Sequence, residues 1–216
     1  MNESSTYLPD PQSSDTREGL RSKSFVGLLL TQLLTAMNDN VFRWLVIGVG
    51  KDFVNPEQVR NILTAGIACF VLPYLLLAAP AGFLADRYSK RTVIFGCKVA
   101  EILIMGLGTL SIVLGNIWVL FVAVALMGAQ SALFSPAKLG SVPELLRSDR
   151  ISLANALFGL TTVVATVAGM AIGSTLADAT GYRGQEHWQW SGMTLLSIAI
   201  IGTLLSLLIR HVPAAN

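Results

Sequence analysis

The sequence predicts an all-α membrane protein, a bundle of six transmembrane helices. Of its 216 residues, 53% are hydrophobic and only 13% are charged, whereas a soluble domain carries about 25% charged residues. Six mainly apolar runs, each near the roughly 20 residues that cross a bilayer core, are separated by short polar connectors. A net charge of +2 without a basic stripe excludes a nucleic-acid-binding protein, so no nucleic acid is expected as a partner.

The chain divides into a tail, six spans and a short end. Residues 1–23 are polar and rich in Ser, Asp and Pro, which predicts a disordered cytoplasmic tail. The tail is too long and too acidic for the start of a signal peptide, so we expect no cleavage. The predicted spans are 24–50, 61–85, 93–114, 117–136, 151–177 and 191–210, with a tight hairpin at the Gly-Asn pair 115–116. Residues 211–216 begin a cytoplasmic linker or form a truncated end.

Lys and Arg predict the orientation of the bundle. With the N-terminus in the cytoplasm, ten of these residues lie on the inside: Arg17, Arg21, Lys23, Arg87, Lys90, Arg91, Lys138, Arg147, Arg150 and Arg210. Three lie outside: Lys51, Arg60 and Arg183. Because positive residues are enriched on the cytoplasmic side, we expect both termini to be cytoplasmic.

The first span carries a polar stripe. Helical spacing places four polar residues on one face: Gln32, Thr35, Asp39 and Arg43. Asp39 and Arg43 are four residues apart in the order that favours an intrahelical ion pair. A charge at the bilayer centre costs about 2.5–3.5 kcal/mol even on the lenient insertion scale, so it normally faces protein or a watery cavity. Two interpretations are open, a structural ion pair or the lining of a translocation pathway, and the adjacent Asn38 and Asn40 favour the second.

Further polar residues lie in the other spans. Lys98 and Glu101, three residues apart in the third span, either neutralise each other or bind a substrate or coupling ion. Gln130 and Ser131 late in the fourth span and Asn155 early in the fifth are candidates for the same cavity.

The fifth span carries small residues at every fourth position: Ala165, Gly169, Gly173 and Ala177. Such a helix-packing seam allows a second helix to approach closely. Either the partner helix lies in this bundle, or the seam contacts helices that this chain lacks. We expect the second arrangement, because the six spans offer no obvious partner.

The connector "GFLADRYSKRTV" (82–93) follows the second span. It resembles the signature between the second and third spans of major facilitator superfamily transporters, through matches at Gly82, Leu84, Asp86, Arg87, Lys90 and Arg91, although Ser89 replaces the usual Gly. The resemblance implies half of a twelve-helix fold, in which two six-helix halves rock about a central site. It also implies a cytoplasmic gating latch made by Asp86, Arg87 and Arg91, supported by Lys90.

Three other stretches narrow the resemblance: residues 37–42, 96–102 and 133–159 are similar to the lysophospholipid transporter family. That family moves lysophospholipids inward across the bacterial inner membrane, and some members are fused to acyltransferase and acyl-carrier-protein synthetase modules. The resemblance covers about residues 24–210 and implies a zwitterionic lysolipid substrate. Asp39 would then meet the amine, Asn38 and Asn40 would add hydrogen bonds, and Arg43, Lys98 or Lys138 would meet the phosphate.

Two other functions are left open. One is a generic facilitator for a small solute, with Asp39 as the proton-coupling group, and the other is a membrane module that anchors a lipid acyltransferase. An enzyme is not expected, because neither His187 nor His211 is followed by Asp at the spacing of the acyltransferase motif. Cys69 and Cys97 lie in apolar runs and predict free thiols, with no metal site and no cofactor. The expected partners are the lipid bilayer, the substrate and a second transporter half, in the same longer chain or in a second subunit.

Overall fold

The computed structural model describes residues 19–53, 55–181 and 186–210. Six long helices account for most of them: α1 Lys23–Gly50, α2 Val59–Arg87, α3 Lys90–Val113, α4 Ile117–Leu145, α5 Ile151–Thr180 and α6 Trp188–Ser206. Residues 19–22 form a turn that leads into α1, whose first turn is capped by the Ser22 hydroxyl accepting from the amide of Phe25 at 3.2 Å. The remaining residues of the predicted tail, 1–18, and residues 211–216 lie outside the described ranges.

Five of the six helices are long and apolar enough to cross a membrane. The exception is α1, whose 28 residues extend about 42 Å. Its length is therefore sufficient, but Gln32, Asn38, Asp39, Asn40 and Arg43 lower its apolarity below that of the others. The prediction of six helical segments is confirmed, and the first of them is polar enough to depend on its neighbours.

Helix ends depart from the prediction where polar residues continue a helix. The fourth span was predicted to end at residue 136, but α4 continues to Leu145 through Pro136 and Pro143. The extension is stable because its inner face is buried, with Ser141 and Val142 almost fully covered. The hairpin at Gly115 and Asn116 forms as predicted. Gly115 adopts a positive φ of 61°, which favours glycine.

The helices pack as an interlocked bundle around α1. The most extensive contacts are those of α1 with α5 and of α2 with α4. Helix α3 packs against both α4 and α6, and α1 also packs against α6. Buried apolar side chains form two clusters, one around Phe42, Met105 and Leu195 and the other around Phe25 and Phe158. In α2, by contrast, only Ala81 and Ala85 are buried.

The small-residue seam of α5 packs against α1. A Cβ atom added at Gly169 would lie 2.6 Å from the Cβ of Asn40, and one at Gly173 would lie 2.8 Å from that of Trp44. Ala177 contacts Gly48, and Ala165 is fully buried. The expected contact with absent helices is therefore wrong for these four residues. Periodicity identified the seam, but it could not show that α1 offers a matching surface.

Candidate functional site

A pocket of about 180 Å³ opens between α1, α2 and α4. Its lining combines polar and aromatic side chains: Gln32, Thr35, Ala36, Asp39, Phe70, Tyr74, Ser131, Phe134, Ser135 and Lys138. The polar groups come from one face of α1 and one face of α4, while α2 contributes the aromatic rings of Phe70 and Tyr74. Three residues of the polar stripe, Gln32, Thr35 and Asp39, thus line a cavity, whereas Arg43 does not, and a translocation pathway through this cavity stays a prediction.

Asp39 supplies the negative charge of the pocket. Its side chain is 7% exposed, and its Oδ2 accepts a hydrogen bond from the Ser131 hydroxyl at 2.6 Å. Its Oδ1 is buried and has no hydrogen-bond partner within the described ranges. The carboxylate is therefore fixed at one oxygen and keeps acceptor capacity at the other.

Lys138 supplies the positive charge. Its Nζ donates to Gln32 Oε1 at 3.0 Å, and Gln32 Nε2 donates in turn to the hydroxyl of Thr162 on α5 at 3.1 Å. The same Nζ lies 5.9 Å and 5.7 Å from the ring centroids of Phe134 and Phe158, within the range of cation–π attraction. No ion pair joins Lys138 to Asp39 in the described part of the chain, so the pocket presents two separate opposite charges.

Arg43 does not pair with Asp39, so the structural ion pair, the less favoured of the two interpretations, is wrong. The Arg43 guanidinium instead lies over the ring of Phe70, 4.6 Å from its centroid. Asp39 is engaged by Ser131 from α4, and the aromatic face on α2 offers the guanidinium a partner that spacing along one helix could not reveal. Arg43 Nε is buried without a hydrogen-bond partner among the residues described.

Lys98 and Glu101 form an enclosed network beside the pocket. Both side chains are fully buried, and Lys98 Nζ lies 2.5 Å from Glu101 Oε2. Two residues of α1 complete the network: Thr35 Oγ1 accepts from Lys98 at 3.1 Å, and Asn38 Nδ2 donates to Glu101 Oε1 at 2.9 Å. The mutual neutralisation considered for Lys98 and Glu101 is therefore present. Because Lys98, Glu101 and Asn38 have no exposed surface and do not line the pocket, the structure does not bring them to the substrate position expected of them.

Three other candidates also lie outside the pocket. Asn40 donates to the backbone carbonyl of Ala36 at 2.7 Å within the contact between α1 and α5. Gln130 is buried beside a separate apolar groove, and Asn155 is exposed on α5. Two lining residues, Phe70 and Tyr74, were included in no site prediction. Their only signal in the sequence is weak: they are an aromatic pair four residues apart in a mainly aliphatic stretch.

The predicted latch divides into two parts. Lys90 is largely buried and forms an ion pair with Glu144 at the end of α4, while Arg91 Nη2 donates to the carbonyl of Leu207 after α6 at 3.2 Å. A Cβ at Gly140 would lie 2.7 Å from Lys90 Cε, so this glycine makes room for the lysine stem. These contacts join three helix ends within the bundle.

The other part of the latch is exposed. Asp86 and Arg87 lie at the end of α2, where Arg87 stands 5.9 Å from the ring of Phe83. Asp86 makes no hydrogen bond or ion pair with any described residue, and Gly82 has open space beside its Cα. Lys90 thus holds helix ends together at this rim of the bundle, which Lys90, Arg91 and Glu144 form. Asp86 remains available to a group outside the described bundle.

Comparison with known proteins places the chain in a family. Residues 28–216 match the family model of the Major Facilitator Superfamily. Over 171 residues the chain is 32% identical to the lysophospholipid transporter LplT of Cronobacter sakazakii. The aligned region is 79% of this chain and 40% of that protein. It is 31% identical to LplT of Pectobacterium carotovorum over 167 residues, 77% of this chain and 39% of that protein. With LplT of Serratia proteamaculans it shares 26% identity over 208 residues, 93% of this chain and 46% of that protein.

The chain therefore spans less than half the length of these curated relatives. The residues matched by the family model contain the pocket and all six helices apart from the first five residues of α1. Together with five helices that have the length and apolarity of membrane spans, the match leads to one conclusion. The chain belongs to the Major Facilitator Superfamily of membrane transporters, and it is similar to the lysophospholipid transporters within it.

Proposed function

We propose that the protein transports lysophospholipids across the bacterial inner membrane by alternating access, and that this chain forms the N-terminal half of the transporter. The observation that carries the proposal is the pocket in which Asp39 and Lys138 present separate opposite charges against an aromatic wall. The printed names of the relatives support the choice of substrate.

A zwitterionic lysolipid head group fits the charges of the pocket. Its amine would bind the carboxylate of Asp39, whose buried Oδ1 has no hydrogen-bond partner within the described ranges, and its phosphate would bind Lys138, replacing the amide oxygen of Gln32. A volume of about 180 Å³ is the room taken by about six water molecules in the liquid, which suits a head group rather than a whole lysolipid. The acyl chain would extend along Phe70, Tyr74 and the exposed apolar surface of α2.

Alternating access requires a second half. In facilitator-type transporters two six-helix halves rock about a site at their interface. The pocket lies on one side of the bundle and opens beside α2, whose side chains are mostly exposed. We infer that the second half covers this side, either as a later part of the same chain or as a second subunit. With the N-terminus cytoplasmic, the rim formed by Lys90, Arg91 and Glu144 faces the cytoplasm.

One observation favours a second candidate, a proton-coupled facilitator for a small polar solute. A buried carboxylate with an unpartnered oxygen, as in Asp39, is a typical proton-carrying group in membrane transporters. The candidates differ in what competes for the pocket. Excess lysophosphatidylethanolamine should inhibit uptake of the true substrate only if that substrate is a lysolipid.

The first prediction is that Asp39→Asn abolishes lysophosphatidylethanolamine uptake. The amide removes the charge that would hold the amine, while its shape and its contact with Ser131 are kept. The change should be made at the native locus of the gene, so that the protein is tested at its natural length. Uptake of labelled lysolipid is then measured alongside the amount of protein in the membrane.

Glu57→Gln is the matched control, because it removes one carboxylate from an exposed position outside the pocket. The control should transport normally. Normal uptake by an Asp39→Asn protein that accumulates at wild-type levels would show that Asp39 does not bind the substrate.

A further inference from the structure

Three arginines meet at the end of the bundle where α1 begins. Arg21 precedes α1, Arg147 precedes the short turn Ser148–Arg150 between α4 and α5, and Arg150 is the last residue of that turn. Together with Gly19, Leu20 and Asp149 they line a concavity of about 620 Å³, which we name the arginine cup. None of its residues lines the pocket that holds Asp39 and Lys138.

The cup carries excess positive charge. Asp149 is the single carboxylate among the described residues that line the cup, and it pairs with two arginines, with Arg147 Nε at 3.7 Å and Arg150 Nε at 3.2 Å. The terminal guanidinium nitrogens of both arginines have no partner in the described ranges, and neither does Arg21. Among the described residues, two of the three positive charges are therefore uncompensated, and the side chains of Arg147 and Arg150 are more than half exposed.

The position of the cup brings this charge to the membrane surface. The cup lies at the ends of α1, α4 and α5, and α4 and α5 are both long and apolar enough to cross the bilayer. Leu153, in the first turn of α5, is 47% exposed, so apolar surface begins directly beside the arginines. Guanidinium groups bind phosphate through paired hydrogen bonds as well as charge.

We propose that the arginine cup binds the phosphate of an anionic phospholipid head group in the leaflet at this end of the bundle. That leaflet is the cytoplasmic one in the orientation proposed above. The ligand differs from the proposed substrate: the cup is matched to a lipid with net negative charge, whereas the transport pocket offers one charge of each sign. The cup would hold a bilayer lipid at the turn between α4 and α5 without transporting it.

The test is lipid binding to the purified chain, measured by native mass spectrometry in mild detergent with phosphatidylglycerol and phosphatidylcholine. The variant Arg147→Gln/Arg150→Gln should bind phosphatidylglycerol roughly 25-fold more weakly, since each basic residue near a membrane surface contributes about fivefold. The control Lys51→Gln/Arg60→Gln removes two exposed positive charges outside the cup. It should bind phosphatidylglycerol as the unmodified chain does, and circular dichroism checks that both variants are folded.

A second variant tests whether positive charge in the cup is what binds the lipid. Asp149→Asn removes the one described carboxylate that lines the cup and should keep or strengthen phosphatidylglycerol binding. Equal loss of binding in the cup variant and the control would overturn the proposal, as would equal affinity for phosphatidylcholine. Displacement of phosphatidylglycerol by millimolar glycerol phosphate would show instead that the cup takes a soluble phosphate. None of these readouts depends on lysolipid transport, so the proposed function can fail while the cup is confirmed.

Discussion

At the scale of single residues, the enclosed pair of Lys98 and Glu101 determines how α1 and α3 fit together. Spacing along α3 predicted that the two charges could neutralise each other, and they do. The sequence could not predict that Thr35 and Asn38, 63 residues earlier, complete the same network. Removing one member of a buried ion pair leaves an uncompensated charge, whereas replacing both members can be nearly neutral.

We therefore expect Glu101→Leu to destabilise the protein strongly, by about 3–5 kcal/mol. The double variant Lys98→Met/Glu101→Leu should recover most of that stability. Both are compared with the unmodified protein by thermal unfolding in mild detergent. If Glu101→Leu alone unfolds at the unmodified temperature, Lys98 has found another partner and the network does not fix the packing.

At the scale of helices, the contact of α1 with α5 depends on the absence of side chains. At Gly169 the backbone carbonyl of Met37 would lie 2.7 Å from an added Cβ, which is closer than real Cβ contacts come. Sequence periodicity predicted that α5 has a close-packing face, and the structure assigns that face to α1. Helix α1 has two surfaces, the polar stripe and a second surface that receives the glycines of α5, and spacing along the chain reveals only the first.

Gly169→Ala should therefore lower stability by about 1–3 kcal/mol, because the helices must separate to fit the methyl group. Gly159→Ala is the matched control on the same helix, since nothing lies within 4 Å of its added Cβ. The control should be neutral or slightly stabilising, by up to about 1 kcal/mol, because alanine favours helix. Thermal unfolding of the two variants in one detergent compares them directly, and equal transition temperatures would contradict the close contact.

The end of α2 gives a second prediction at this scale. Asp86 is exposed and unpartnered in the described bundle, so a contact with a second half would act through it. Such a contact shifts the equilibrium between the two access states by a few kcal/mol at most. Asp86→Ala should open the pocket toward the cytoplasm and slow transport while leaving substrate choice unchanged.

The opening of the pocket is measured with a cysteine in place of Ser135, which lines the pocket, in a background without Cys69 and Cys97. Its labelling rate from the cytoplasmic side should rise in the Asp86→Ala variant. Glu57→Ala, an exposed acid outside the rim, serves as the control. A changed substrate profile with an unchanged labelling rate would argue against a latch.

At the scale of the whole molecule, the sequence predicted six helices in the correct order, because hydrophobic runs of membrane length are strong signals. It also predicted Asp39 and Lys138 as site residues, and the structure brings them to one pocket. The sequence could not show which polar residues of α1 line the pocket and which belong to the buried network of Lys98 and Glu101. Helices α2, α4, α5 and α6 all contact α1, and periodicity does not reveal which neighbour covers which side.

The orientation of the molecule is the remaining prediction. A cysteine at Glu57, in the exposed connector between α1 and α2, should react with an impermeant thiol reagent added outside intact cells. A cysteine at Tyr88, which is 50% exposed at the opposite end of α2, should react only after the membrane is permeabilised. The two native cysteines are replaced first. Outside labelling of position 88 in intact cells would reverse the proposed topology.

The polarity of α1 bears on how the protein is made. Ribosomes add about 5–20 residues per second, so the 63 residues between Asn38 and Glu101 take roughly 3–13 s to synthesise. During that interval α1 lacks the side chains of α3 that bond to its Thr35 and Asn38. We therefore expect α1 to remain beside the insertion machinery, or at the membrane surface, until α3 has been synthesised. Helix α1 is therefore buried only when the helices assemble. A helix hairpin made of α1 and α2 alone should not remain stably in the bilayer.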